Sequence, residues 1–219
     1  MMSKGKTFKF NGSKVQIQKI VTTPATVAVT EVTATNPAVV KSTLKAKKGD
    51  IVTISGLEGF NGDYVVSAVD SSGALTLANT NWLGKKIPSA YTGSKIGLVQ
   101  FFDNFCELKN IQKSGATVEQ IDVSTICSEG KEYEAGDREE GSLTMQFFLN
   151  PNSPIQQALE EYEYSGEKFW VRLLLPQNQG TYIFNGSVET GINIDGQVAG
   201  RWESGLAMKL SGRRYFMGA

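Results

Sequence analysis

Among the residue types of this sequence, only carboxylates could run acid–base chemistry in pairs, and adjacent carboxylates occur at Glu139-Glu140 and Glu160-Glu161. Glycoside cleavage needs one acid kept protonated by an apolar pocket, at a fixed separation from a second, ionised acid. Both pairs lie in strongly hydrophilic sequence that singles out no such pocket. Histidine is absent from the 219 residues, which removes His-based triads, His general bases and His metal ligands together. Cys106 and Cys127 are too few for a disulfide framework and, without histidine, too few for a thiolate zinc centre, so they read as reduced thiols. The glycines read as turn formers and not as a phosphate cradle, because no helical pattern follows them. The sequence therefore points to a chain that is not an enzyme, with no catalytic residue, cofactor or metal ligand.

Charge is unevenly distributed although the net charge is zero. Residues 1–100 carry twelve lysines against five acids, and residues 101–219 carry ten basic against seventeen acidic residues. This asymmetry is suited to contacts between neighbouring copies. The densest acidic stretch, Glu129–Glu140, holds Glu129, Glu132, Glu134, Asp137, Glu139 and Glu140 against Lys131 and Arg138, and reads as a polar loop. Arg213-Arg214-Tyr215-Phe216 reads as an anchored terminus or an interface.

The elements that must position these residues are mostly strands. Turn residues separate short runs rich in Val, Ile, Thr, Phe and Tyr, the pattern of an antiparallel, all-β dominated protein. Asn11-Gly12 predicts a tight hairpin between Thr7–Phe10 and Lys14–Ile20. From Val21 to Val99 the composition shifts to Ala, Thr, Val, Ser and Gly without arginine, which predicts an inserted small β-barrel or sandwich at 21–99 within a main domain made of 1–20 and 100–219. Its strands are Ile51–Ile54, Tyr64–Val69 and Ala74–Ala78, separated by Gly-containing turns. Beyond it, Leu98–Ile111 and Thr117–Ile126 read as a long hairpin turning at Lys113-Ser114-Gly115. Leu143, Met145, Phe147 and Leu149 alternate with polar residues and mark a strand with one buried face. Ser153 and Pro154 open a helix that runs to Tyr164 and stops at Gly166. Ile155, Ala158, Leu159 and Tyr162 share its apolar face, with Gln156, Gln157 and the glutamates turned away. Lys168–Leu175, Thr181–Val188, Gly191–Ile194 and Trp202–Leu210 complete the strands, with Asp195-Gly196 as the last turn. No run approaches the roughly 20 apolar residues of a membrane span, and the N-terminus is polar and basic, so neither membrane insertion nor export is expected.

With the insert set aside, Val118–Ile126 (VEQIDVSTI), Ser128–Gly136 (SEGKEYEAG), Glu140–Pro151 (EGSLTMQFFLNP), the helix and Tyr182–Leu210 resemble, in order, the tail tube proteins of long-tailed bacteriophages. The resemblance implies a β-sandwich with one flanking helix that closes into homo-hexameric rings, stacked as a conduit for DNA in the virion tail. It implies assembly in the host cytoplasm, a tape measure inside, terminator and tip proteins at the ends, and DNA passing without sequence-specific binding. It places the ring wall at the expected hairpin, with Phe101, Phe105, Val118, Ile121 and Val123 as candidates. Ring stacking is expected to pair Glu132, Glu134, Asp137, Glu139 and Glu140 with Lys4, Lys6, Lys9 and Lys14. The alternatives are another ring or tube component, such as a terminator, a baseplate ring or a contractile-injection tube, or a carbohydrate-binding adhesin using Trp82, Tyr64 and Tyr91 as stacking platforms.

Overall fold

Runs of β-branched and aromatic residues between turns build strands throughout a computed structural model that describes residues 9–88 and 91–218. In chain order the strands are β1 (Lys14–Ile17), β2 (Thr26–Thr33), β3 (Val39–Ser42), β4 (Ile51–Ser55), β5 (Gly62–Val69), β6 (Leu75–Leu77), β7 (Lys95–Leu98) and β8 (Leu108–Lys113). They continue with β9 (Thr117–Asp122), β10 (Tyr133–Glu139), β11 (Ser142–Phe148), β12 (Phe169–Leu174), β13 (Thr181–Asp195), β14 (Glu203–Leu210) and β15 (Tyr215–Met217), and helix α1 (Pro154–Ser165) lies between β11 and β12. A seven-stranded sheet runs β1-β12-β13-β14-β11-β8 with β15 on β13, a closed barrel runs β2-β3-β6-β5-β4-β7, and β9 and β10 form a two-stranded ribbon. The fold is all-β with one helix and an inserted six-stranded barrel. Two compact units divide the described residues, one within 1–103, 172–183 and 215–219, the other 104–171 and 184–214.

In the first unit, the barrel closes over Val29, Val40, Val52, Ile54, Val66, Leu75, Leu77 and Ile96. Trp82 lies in this core at 4% exposure, 4.7 Å from the Phe60 ring, with Tyr64 edge-on at 5.5 Å and Tyr91 packed against the same cluster. Three aromatics that could have stacked on sugars are thus spent on packing. Asp70 ties the β5–β6 turn, its Oδ1 accepting from the Ser72 amide (2.8 Å), the Ser72 hydroxyl (2.7 Å) and the Ala74 amide (2.9 Å). Arg172, on β12, donates to the Gly49 carbonyl (2.8 Å) and to Asp50 (3.2 Å), with its guanidinium 4.1 Å above the Phe101 ring. Burial lowers the Arg172 pKa, and the charge and hydrogen bond of Asp50 offset only part of that. At the N-terminal side, Gly12 takes φ 93° and Ser13 N–H donates to the Phe10 carbonyl, so the Asn11-Gly12 turn is present. Of the strand expected before it, Thr7 and Phe8 lie outside the described residues, and Lys9 and Phe10 are not in a strand.

In the second unit, alternation along β11 buries Leu143, Met145 and Phe147, which face Met208, Leu206 and Ser204 of β14. Ile155, Ala158, Leu159 and Tyr162 of α1 are buried as the spacing predicts, and Gly166 closes the helix at φ 68°, its N–H donating to the Tyr162 carbonyl. Ser153 makes no side-chain capping bond, so Pro154 alone marks the start. Gln156, expected to face solvent, is 4% exposed. Its carboxamide accepts from Asn150 N–H and donates to the Phe148 carbonyl, both at 2.9 Å, which satisfies the backbone where the chain leaves β11. The two runs expected at Thr181–Val188 and Gly191–Ile194 form one fifteen-residue strand, with irregularities on either side of Thr190. Asp195-Gly196 is not a two-residue turn, because residues 196–202 form a longer loop before β14.

The expected hairpin of Leu98–Ile111 with Thr117–Ile126 does not form. Leu98 ends β7 of the barrel, β8 pairs with β11, and β9 pairs with β10. The chain does not reverse at Lys113-Ser114-Gly115, and β8–β9 and β10–β11 are the two legs of a single long hairpin whose turn lies at 123–132.

Candidate assembly surface

The hairpin changes character at a clasp between its legs. Ser142 N–H donates to Ser114 Oγ (2.6 Å) and Ser114 N–H to the Ser142 carbonyl (2.9 Å), the last exchange before the ribbon departs. Gly141 sits beside the clasp at φ 82°, where a Cβ would lie 2.6 Å from Ser114 Oγ and closer still to the Gly115 carbonyl. Only glycine fits this backbone angle and this approach without displacement.

Beyond the clasp, the ribbon pairs Tyr133 with Asp122, Glu134 with Ile121, Ala135 with Gln120, Arg138 with Val118 and Glu139 with Thr117. Because strand side chains alternate, one face carries Val118, Gln120, Asp122, Tyr133, Ala135 and Arg138. The other carries Glu119, Ile121, Glu134 and Glu139, and Val123 and Glu132 extend it, since Val123 N–H donates to the Glu132 carbonyl (3.0 Å). Asp137 falls in the bulge between Ala135 and Arg138. The tip is locally organised: Glu132 N–H donates to Ser124 Oγ (2.9 Å) and Thr125 N–H to Ser128 Oγ (3.0 Å). Bonds from the Ser124 side chain and then its amide hold the Asp122 carboxyl below the usual range.

Neither face is covered. Val118, Ile121, Val123 and Tyr133 are 39–53% exposed, and Ile126 is fully exposed. A two-stranded ribbon is marginal alone in water, and its outer strand edges present unpaired amides and carbonyls. Exposed apolar side chains on such a ribbon mark a surface that gains stability on being covered.

At the root, Arg138 donates to Glu140 (2.9 Å), and Lys113 Nζ donates to the carbonyls of Ser114 (2.8 Å) and Glu140 (3.1 Å). The hydrogen bond from Arg138, with the charges of Arg138, Lys113 and Arg213, holds the Glu140 carboxyl below the usual range. A groove of about 570 Å³ opens here, lined by Lys113, Ser114, Arg138, Glu140, Arg213 and Arg214 among others. Lys209 pairs with Glu139 at 2.9 Å, and this bond raises the lysine pKa.

The expected stacking acids are therefore divided. Glu132 and Glu134 are exposed on the ribbon, Asp137 is in its bulge, and Glu139 and Glu140 are engaged at the root. Most of the stretch read as a loop is strand β10. Lys9 and Lys14 are exposed, while Lys4 and Lys6 lie outside the described residues. Of the ring-wall candidates, Val118, Ile121 and Val123 share the ribbon, Phe105 is buried 5.0 Å from Phe147, and Phe101 lies under Arg172. Sequence reasoning missed Ser114, Gly141, Ser142 and the grouping of Arg213 and Arg214 with Arg138. A glycine between a charged residue and an alternating strand, at Glu140-Gly141-Ser142, was the available signal. Among the described residues no cluster of three metal-binding side chains occurs, and no helix is long and apolar enough to cross a membrane.

No family model and no curated protein matches the chain. Among solved structures it is similar to a protein of the tail of an empty gene transfer agent particle, refined with C6 symmetry, at 21% identity over 54% of this chain and 87% of that one, with a TM-score of 0.43. A protein of the native gene transfer agent virion is similar at 20% identity, over 53% of this chain and 89% of that one, with a TM-score of 0.43. The SPP1 tail tube is similar at 16% identity, over 52% of this chain and 67% of that one, with a TM-score of 0.39.

Proposed function

We propose that the chain is a non-enzymatic tail tube subunit of a long-tailed phage, whose copies close into six-membered rings and stack into a conduit for DNA. The observation that carries this reading is the ribbon: a hairpin rooted in a seven-stranded sheet that runs on as two strands exposed on both faces. An identical subunit is a natural cover for such a surface, and repeated heterologous contacts build rings and open stacks. The segments that resemble tail tube proteins fall on β9, the tip, β10, β11, α1, β13 and β14, and so on the long hairpin and the elements that support it. The sheet also ends in edge strand β8, a candidate for pairing between copies, while residues 17–19 beside β1 are already bonded to residues 100–102. The excess of acids after residue 100 suits a wall that must let DNA slide, since basic walls hold phosphates. In this reading the barrel within 21–99 is an outward decoration, the tape measure lies inside, other tail proteins cap the ends, and assembly precedes incorporation into the virion in the host cytoplasm.

The test is sedimentation of the purified protein beside Ile121→Asp/Val123→Asp. Both positions are exposed, so the folded monomer should change by no more than about 0.5 kcal/mol. Wild type should form large assemblies and the variant should not. A wild type that stays monomeric at high concentration, or a variant that assembles equally well, would refute the reading.

A further inference from the structure

We propose that the basic groove at the hairpin root receives the acidic face of the ribbon of a second copy, so that each subunit carries both halves of one repeating contact. The inference rests on the tube reading and names the partner of its assembly surface.

Lys113, Arg138, Arg213 and Arg214 bring four cations to the groove against the single carboxylate of Glu140. Lys113 and Arg138 are held by the carbonyls and the carboxylate of the root, and Arg213 and Arg214 line the same groove at the surface. The rest of the hairpin has the opposite character. Residues 117–135 contain Glu119, Asp122, Glu129, Glu132 and Glu134, with Lys131 as the sole cation. The register sets Glu119, Glu132 and Glu134 on one face, next to the exposed Ile121 and Val123. Among the described residues, neither Glu132 nor Glu134 forms an ion pair. Glu132 and Glu134 are held toward the tip of the ribbon and the cations gather at its base, with three residues, about 10 Å, between the Arg138–Val118 and Glu134–Ile121 pairs.

The cations thus lie at the root of one projecting element, and Glu132 and Glu134 lie toward its tip. In parallel copies, a ribbon seated in the next groove leaves one ribbon and one groove free, which is the condition for an open stack. Of the N-terminal lysines, Lys9 and Lys14 are exposed, and neither lines this groove. Nucleic acid is a poorer occupant, since Glu140 inside the groove repels a phosphate chain and the groove holds a few side chains and not a polymer.

The experiment compares four full-length proteins at 0.1 M salt by light scattering and sedimentation velocity: wild type, Arg213→Glu/Arg214→Glu, Glu132→Lys/Glu134→Lys, and the variant with all four changes. Each one-sided variant should assemble about tenfold or more slowly, and the four-fold swap should return to within about threefold of wild type. A one-sided variant at the wild-type rate, or a swap as slow as the one-sided variants, overturns the proposal. If Arg213→Glu/Arg214→Glu lowers the thermal transition of the monomer, Arg213→Gln/Arg214→Gln is used, and a wild-type rate there overturns it equally. A short DNA duplex that binds wild type but not Arg213→Glu/Arg214→Glu, with assembly unchanged, makes the groove a nucleic-acid site and overturns it too. Tubes that form normally in every variant sink the groove contact and leave the tube reading standing. A closed dimer that the swap restores keeps the groove contact and removes the tube reading.

Discussion

Replacing Gly141 by alanine should uncouple the ribbon from the sheet, with Gly115→Ala as a matched control. At φ 82° an L side chain costs about 1–2 kcal/mol. The new methyl would also sit 2.6 Å from Ser114 Oγ and nearer to the Gly115 carbonyl, so the legs must part. Parting them breaks the two Ser114–Ser142 hydrogen bonds, each contributing about 0.5–1.5 kcal/mol net. The sum is about 2–5 kcal/mol, concentrated at the clasp between the legs. Gly115 has ordinary backbone angles and open space around its Cβ position, so its alanine variant should be nearly silent. Hydrogen exchange read by mass spectrometry over residues 108–122 and 133–148 measures the difference. Gly141→Ala should lose protection there by about 30-fold or more, since about 1.4 kcal/mol is a factor of ten, and should assemble poorly. Equal protection in the two alanine variants would refute the clasp as the device that aims the ribbon.

Acid should loosen the β5–β6 turn through Asp70. The hydroxyl and amide of Ser72 and the amide of Ala74 hold its carboxyl below the ordinary aspartate value, so the contribution is complete above that value and lost as pH falls through the lower folded one. Amide shifts of Ser72 and Ala74 should titrate below the ordinary midpoint, and titration at or above it would contradict the turn geometry. Replacing residues 21–99 with a short Gly/Ser linker should leave tubes of unchanged inner and reduced outer diameter by electron microscopy, whereas a folded protein unable to assemble would place the barrel in the wall.

Where one face of an element is buried, its pattern was legible. The alternation of Leu143, Met145 and Phe147 and the spacing of Ile155, Ala158, Leu159 and Tyr162 both follow from a core on one side only. The ribbon has no buried side, so β10 carries no period-two signal and its acids read as a loop. Lys113-Ser114-Gly115 has turn composition, yet Ser114 pairs with Ser142 and the chain runs on. The residue that needs glycine is Gly141, on the opposite leg. Gln156 was misplaced because a polar residue on a helix reads as exposed, while its role is to satisfy the backbone at Phe148 and Asn150. The groove joins residues more than seventy positions apart, Arg138 with Arg213 and Arg214, and no local pattern announces that.

Electron microscopy of the purified, concentrated protein under negative stain decides whether the chain builds tubes. Long tubes of regular diameter are expected, with a stain-filled channel and six subunits in end-on views. Monodisperse single subunits, or closed rings that never stack, would contradict it.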